Sequence, residues 1–375
     1  MSDDFTHLLL LIGAIYGLEL LSFLPEPRRL LVQLVGRRFV LTRSGFAMRN
    51  PLPWSLCFTV EGFPLALGQD ACAAYQPHRP TTSRPLGWGH RFLRYDAIRE
   101  VRAIGQELEV NGEVFLKHAS EPAARAAAGF LNRVRLTRAD LRPAVIDGIM
   151  RQMLDCDALA SRRDALLRNA VVLRVVSTLL FVHIAAALIL FATTDWALPY
   201  WSRFLLAFLA LVAMVVWQFW ASHRTLYPDA RGDRWLKAFV LAVNFPSACR
   251  GGEALGRDLF AGFHALAVER VVCDATTFRR RAKAELLALG FPPPWAAEPP
   301  LVEARALLVE HRQRAATLLT EMLHSAEIDV DALLAPPTPT KPSSFGFCPR
   351  CHVEYLAETA RCVDCQVAVT PFARR

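Results

Sequence analysis

Four of the nine cysteines lie close together near the C-terminus, as two CxxC pairs. Cys348 pairs with Cys351, and Cys362 pairs with Cys365. Each pair can form a tight turn that directs two thiolates at one ion, and two such turns supply the four sulfurs of a closed tetrahedral site. The spacing therefore predicts one structural metal ion, zinc, bound by these four residues. Because no position is left for water, catalysis at this metal is not expected.

Alternatives remain open for the ion and its ligands. Iron in a rubredoxin-like site would use the same four thiolates, although the short spacing disfavours it. Redox chemistry is expected less, because two CxxC pairs this close normally share a metal. His352 could replace one cysteine as a ligand. The remaining cysteines are scattered singly and are interpreted as small buried apolar residues: Cys57, Cys72, Cys156, Cys249 and Cys273.

The sequences around the two pairs are Phe347-Cys-Pro-Arg-Cys-His and Arg361-Cys-Val-Asp-Cys-Gln. They resemble the short zinc ribbons that many bacterial proteins carry beside membrane or signalling domains. The resemblance covers residues 346–372 and implies a small metal-dependent module, and we predict the zinc ribbon over 346–375. The usual knuckle has Gly after its second Cys, and this chain has His352 and Gln366 there. A proline-rich stretch, 335–345, is predicted to be a linker to this module.

The elements that must position this module include apolar runs long enough to cross a membrane. The chain is 53% hydrophobic, with a mean hydropathy of +0.24. Three runs, at 8–24, 172–192 and 204–221, approach the ~20 residues that a helix needs to cross a hydrocarbon core of ~30 Å. The first has no basic region before it and no cleavage site after it, so a retained anchor is expected rather than a signal peptide. Three transmembrane helices are predicted.

The flanking residues predict an orientation. Arginines follow the first span, precede the second and follow the third, whereas the loop between the second and third carries Trp196, Tyr200 and Trp201. By the positive-inside rule, the N-terminus is outside and both large segments are in the cytoplasm. A multi-pass protein of the cell membrane is therefore expected, or of the cytoplasmic membrane if the source is bacterial. Glu19 and His183 lie within spans and could form a functional pair, or could be tolerated there singly.

A cytoplasmic α+β domain is predicted over 27–168. The sequence around Phe39 and Phe46 is typical of a hairpin, and a three-stranded meander with an Asn-Gly turn is predicted over 98–116. Ser120 is expected to cap a following helix, and Thr137 with Asp140 could open another. This order resembles bacterial pleckstrin-homology-like domains over 36–135. The resemblance implies a small barrel for binding or assembly rather than catalysis.

A helical cytoplasmic segment is predicted over 222–334. Apolar periodicity indicates helices at 260–272, 278–289 and 302–324. The apolar run 235–245 is too short to cross a membrane, so it could lie in the interface or pack into a soluble core. The basic run 279–281 could contact anionic lipid headgroups or form a solvated helix face.

These elements together predict a multi-domain membrane protein with three transmembrane α-helices, a cytoplasmic α+β domain, a helical segment and a C-terminal zinc ribbon. No nucleophile motif, phosphate loop or HExxH occurs. We expect a membrane-anchored, non-catalytic interaction or regulatory protein that presents its ribbon to a cytoplasmic protein partner. One alternative is a membrane enzyme or transporter accessory subunit that uses Glu19 and His183. The other is a nucleic-acid-binding ribbon, which is disfavoured because residues 341–375 carry a net charge of only +2.

Overall fold

The computed structural model describes most of the chain and defines its secondary structure. The described residues are 11, 14, 23–24, 29–35, 38–44, 47–48, 55–74, 92–193, 200–228, 230–290 and 302–372. Within them the strands are β1 (Phe23–Leu24), β2 (Arg29–Val35), β3 (Arg38–Ser44), β4 (Ala47–Met48), β5 (Ser55–Thr59), β6 (Leu65–Leu67), β7 (Ala71–Ala74), β8 (Phe92–Arg94), β9 (Val101–Ile104), β10 (Glu107–Val110), β11 (Glu113–Lys117), β12 (Gly346–Phe347), β13 (Glu354–Tyr355) and β14 (Thr370–Pro371). The α-helices are α1 (Glu121–Leu136), α2 (Arg142–Met153), α3 (Cys156–Thr193), α4 (Trp201–Leu226), α5 (Arg231–Val243), α6 (Phe245–Ala248), α7 (Gly251–Gly256), α8 (Ala265–Val272), α9 (Ala275–Gly290), α10 (Val302–His324) and α11 (Val330–Leu334).

The chain divides into two compact units, each assembled from separate stretches of sequence. The first unit comprises Met1–Val60, Cys156–Ala261 and Val271–Cys273. The second unit comprises Glu61–Asp155, Gly262–Arg270 and Asp274–Arg375. This division does not follow the linear order of the predicted domains, and it separates strands that the pleckstrin-homology-like resemblance grouped together. That resemblance stays a prediction.

The sheet of the first unit has the antiparallel order β3-β2-β5. The hairpin predicted around Phe39 and Phe46 is wrong in its partner: β3 pairs with the preceding β2, with Leu34 opposite Phe39, and β4 pairs with β1. The seven residues of β2 can form more backbone hydrogen bonds with β3 than the two residues of β4 can. The local turn signal at Ser44 was therefore outweighed by a longer strand pairing.

The first unit also contains two helices that are long and apolar enough to cross a membrane, α3 and α4. They contain the predicted spans 172–192 and 204–221 and extend beyond both, because the flanking polar residues continue the helices. Of the predicted span 8–24, Leu11 and Ala14 are helical, whereas Phe23 and Leu24 form β1. The helix predicted to end at residue 24 therefore ends earlier, and the rest of that span lies outside the described residues.

The short helix α7 packs tightly in the core of the first unit. A Cβ added to Gly251 would lie 3.1 Å from Leu173 Cδ1, and one added to Gly256 would lie 3.3 Å from the Phe58 ring. Phe58 is fully buried, and its ring centroid lies 4.8 Å from that of Phe260. Glycine at these two positions lets the backbone of α7 approach α3 and the sheet more closely than a Cβ ordinarily would.

The second unit confirms the predicted meander and its helix. Strands β9, β10 and β11 form an antiparallel sheet in that order, and Asn111 and Gly112 take φ of 56° and 82° in the turn. The Ser120 hydroxyl accepts a hydrogen bond from the Ala123 N–H and so caps α1. The capping box proposed for Thr137 is wrong: Thr137 ends α1, and α2 begins only at Arg142.

The remaining elements of the second unit are a sheet of order β6-β7-β8, the helices α8 to α11 and the C-terminal sheet of order β13-β12-β14. Helix α10 has the bounds that apolar periodicity predicted, 302–324. Its Leu307 packs with Ala66 and Ala73 of the small sheet. The four clustered cysteines lie in turns beside the C-terminal sheet, which positions the candidate site.

Candidate metal centre

Each CxxC pair occupies a tight backbone turn of the same design. In the first turn, the Cys348 N–H donates to Val353 O at 2.9 Å, and the His352 N–H donates back to Cys348 O at 2.8 Å. The second turn repeats the second contact, with the Gln366 N–H 2.9 Å from Cys362 O. The two turns therefore face the site as equivalent halves, each contributing two sulfurs.

The residue after each pair takes the left-handed backbone conformation that usually calls for glycine. His352 has φ of 57° and Gln366 has φ of 55°. The departure from the usual Gly therefore leaves the turn geometry intact but places a β-carbon in a disfavoured region. Gln366 adds a local compensation, because its side-chain NH₂ donates to Val363 O at 2.9 Å.

The four sulfurs converge on one point. They all lie within 4.8 Å of one another, and Cys351 Sγ is 3.8 Å from Cys362 Sγ. A tetrahedron with Zn–S bonds of about 2.3 Å has S–S edges of about 3.8 Å. Cys348 and Cys362 are fully buried, and Cys351 is exposed. This arrangement could bind one metal ion such as zinc without a large rearrangement.

The thiols depend on a cation to ionise together. Burial, reinforced by the nearby Cys348 thiol, raises the pKa of Cys351 to about 11. Burial also raises the pKa of Cys365. For Cys362 burial acts in the same direction, but hydrogen bonds from the Tyr355 hydroxyl and from nearby N–H groups outweigh it and lower the pKa to about 7. Without a cation, four adjacent thiolates would repel one another, so a dication fits the chemistry of this donor set.

Contacts around the sulfurs hold the ligands in place. The Cys365 N–H lies 3.3 Å from Cys362 Sγ, and the Tyr355 hydroxyl accepts from the Val363 N–H at 3.2 Å. Behind the site, the rings of Phe347 and Phe372 lie 5.4 Å apart. Tyr355 was not predicted as a supporting residue, because a lone tyrosine seven residues before Cys362 carries no spacing signal.

His352 does not join the cysteines as a ligand in this arrangement. The converging set among the described residues consists of the four cysteines alone. The His352 ring instead packs edge-on against Phe347, with centroids 5.7 Å apart. Four thiolates are therefore the donor set that the geometry favours over a mixed site.

The intramembrane pair proposed from the sequence is described only in part. Glu19 lies outside the described residues. His183, on α3, has Nε2 3.0 Å from Phe204 O on α4, so this nitrogen donates to a backbone carbonyl. Within the described residues, this contact gives His183 Nε2 a backbone partner on the neighbouring helix.

A buried polar cluster in the second unit could not be predicted from the sequence, because its members are far apart in the chain. The Glu61 carboxylate lies 2.8 Å from His118 Nδ1 and also accepts from the Ala119 N–H. The rings of His264 and His311 both lie near Phe63, at centroid distances of 4.3 and 6.0 Å.

These groups do not converge on one point as the cysteines do. The Leu266 N–H donates to His264 Nδ1 at 3.2 Å, so that nitrogen serves as an acceptor. Burial lowers the pKa of both His264 and His311 to about 3. For His311, the neighbouring Arg314 and His264 act in the same direction as burial. Both histidines are therefore neutral near pH 7, and the cluster is a packed polar core.

No protein-family model, curated protein or solved structure matches this chain.

Proposed function

We propose that this chain is a membrane-anchored, non-catalytic interaction protein whose metal-stabilised ribbon binds a protein partner in the cytoplasm. The observation that carries the proposal is the surface of the ribbon. Its two turns are held around a site with four protein ligands, which leaves no place for a substrate, while aliphatic side chains face outward. Val363 is 75% exposed, and Leu356 and Val353 are also exposed.

The exposed aliphatic side chains belong to connected parts of the ribbon. Val353 and Leu356 flank β13, and the Val363 N–H is hydrogen-bonded to the Tyr355 hydroxyl of that strand. Apolar side chains that project from a rigid metal-bound turn suit the core of a protein interface. A phosphate-binding surface would need more positive charge than the net +2 of residues 341–375.

The membrane anchor is supported by the exposure of α3 and α4. Only 22% and 17% of their most apolar stretches is buried. The core helix of a soluble protein would bury most of such a stretch, whereas these helices expose Ile189, Leu206 and Trp217. Side chains of this size on two packed helices favour a lipid surrounding.

The proposed orientation follows from the basic residues at the helix ends. Arg162, Arg163 and Arg168 precede the apolar part of α3, and Arg224 lies in the last turn of α4. The positive-inside rule places these ends in the cytoplasm. The zinc ribbon would then face the cytoplasm, where thiols stay reduced and available to metal.

An affinity purification of the full-length chain from native membranes tests the proposal. Leu356→Asp/Val363→Asp is expected to keep one zinc per chain but to lose a specific partner, because the sulfurs remain and the apolar surface does not. Cys348→Ser/Cys351→Ser is expected to lose both zinc and partner. Val309→Asp, at an exposed valine of α10, is the matched control and should keep both. A partner set that is identical in all four proteins would refute the ribbon as the binding surface.

A further inference from the structure

Helix α5 exposes its apolar face, whereas a helix on the surface of a soluble protein buries that face. Its outward side is apolar: Trp235 is 68% exposed, and Phe239 and Val243 are each 64% exposed. These three residues are four apart and share one face of the helix. Leu236 and Val240 widen that face.

Apart from Arg231 at its start, the charged residues of α5 are directed toward the protein instead. Arg234 is buried, donates to Tyr227 O at 3.0 Å and lies 5.5 Å from the Trp220 ring centroid. Lys237 bridges Asp233 at 2.9 Å and Asp258 at 3.0 Å.

These contacts use the polar groups of the helix inside the first unit. A rotation that buried the apolar face would have to break this network and leave the charges unpaired. The apolar face is therefore a fixed outer surface of α5.

The apolar face of α5 is continuous with that of α4. The rings of Trp220 on α4 and Trp235 on α5 lie 4.4 Å apart. Trp217, one turn before Trp220, is 70% exposed. A nonpolar medium that surrounds the end of α4 therefore also contacts α5. The tryptophans on this shared face suit a membrane interface, because tryptophan is enriched at the boundary between hydrocarbon and headgroups.

The length of α5 excludes a fourth membrane span. Its 13 residues extend about 20 Å, less than the ~30 Å hydrocarbon core. We infer that α5 is an interfacial anchor, with its apolar face inserted at the boundary between the headgroups and acyl chains of the membrane that α3 and α4 cross. This inference rests on the proposed membrane location. Exposed Arg231 and Arg224, at the start of α5 and the end of α4, are available to lipid phosphates.

Site-specific photo-crosslinking of the full-length chain tests this anchor. Benzoylphenylalanine replaces Phe239 on α5, Leu206 on α4 or Leu356 on the ribbon, one at a time. All three side chains are more than half exposed, so the replacements perturb packing little. The chain is placed in nanodiscs of phosphatidylcholine and phosphatidylglycerol and irradiated. Mass spectrometry of the adducts then identifies what each position touches.

The three positions separate the inference from the proposal beneath it. Lipid adducts are expected at 206 and 239 and are expected to be absent at 356. Lipid adducts at 206 with none at 239, or protein adducts alone at 239, would overturn the interfacial anchor and leave the membrane location intact. Absence of lipid adducts at both positions would overturn the membrane location itself. Equal lipid adducts at 239 and 356 would also overturn the anchor, because contact would then not depend on α5.

Discussion

Replacing Glu269 by Gln should make the stability of the second unit more sensitive to acid. Glu269 is buried on α8, and burial, opposed by Arg281 and reinforced by Glu285, raises its pKa to about 7. The folded state therefore takes up a proton at Glu269 between pH 7 and the ordinary range of a carboxyl, which stabilises the fold as the pH falls. His264 and His311 act in the opposite direction, because their folded pKa of about 3 lies below the 6.5 of an unfolded chain.

The balance of these groups determines the expected magnitude. Between pH 7 and pH 5.5, protonation of two histidines in the unfolded state alone lowers the free energy of unfolding by about 2 to 3 kcal/mol. Protonation of Glu269 in the folded state offsets about 1 to 2 kcal/mol of this loss. The unmodified chain should then lose about 1 kcal/mol over this interval, and Glu269→Gln should lose about 2 to 3 kcal/mol.

Hydrogen exchange of the full-length chain in nanodiscs measures this difference. Amides of α8 and α10 report opening of the second unit, once rates are corrected for the pH dependence of intrinsic exchange. Zinc is quantified at both pH values, so that metal loss from the ribbon is recognised. Equal pH dependence in the two proteins would show that Glu269 ionises normally when folded. Absence of any loss in the variant would show that the two histidines are not held neutral by burial.

Two further predictions concern the ribbon. Under competition with a chelator, Cys351→Ser should reduce bound zinc from one per chain to a small fraction, because a closed four-thiolate site loses a ligand. Atomic emission of the purified protein measures the bound zinc. Val363→Asp is the control and should retain the zinc fully. Gln366→Gly should strengthen metal retention by up to about 1 kcal/mol, because glycine relieves the positive φ of 55° at the second turn. Weaker retention in chelator titration would mean that the bond from the Gln366 side chain to Val363 O matters more than the backbone conformation.

The features that sequence predicted well are those encoded locally. Interactions between residues close in sequence determine the Asn111-Gly112 turn, the Ser120 cap and the bounds of α10. Each CxxC pair likewise forms its turn from adjacent residues. The pairing of β3 with β2 depends on which of two strands, β2 or β4, forms the longer ladder with β3. A turn signal between two strands does not contain that information. The exposed apolar face of α5 required the positions of Asp258 and Trp220, which approach the helix only in the folded chain.

The buried polar cluster shows the same limit most clearly. Glu61 contacts His118 from 57 positions away, and the rings of His264 and His311 approach Phe63 from still farther along the chain. Isolated histidines have no period that would indicate burial. The neutral state of His264 and His311 is a property of the assembled core, because burial lowers the pKa of both.

The discontinuous composition of the second unit places its completion late in synthesis. The His264 N–H donates to Met153 O, and the Ala265 N–H donates to Glu61 O, so the end of α2 and the segment before β6 wait for residues made about a hundred or more positions later. Helices α3 and α4 are encoded between those partners. On the proposed membrane location, insertion of α3 and α4 would precede closure of the second unit, and the contacts of Met153 and Glu61 with His264 and Ala265 would form only afterwards. A chain truncated after α4 would lack Leu307 of α10, so it would expose the side chains of Ala66 and Ala73 in the β6-β7-β8 sheet to proteases and chaperones, even though both of its apolar helices were intact.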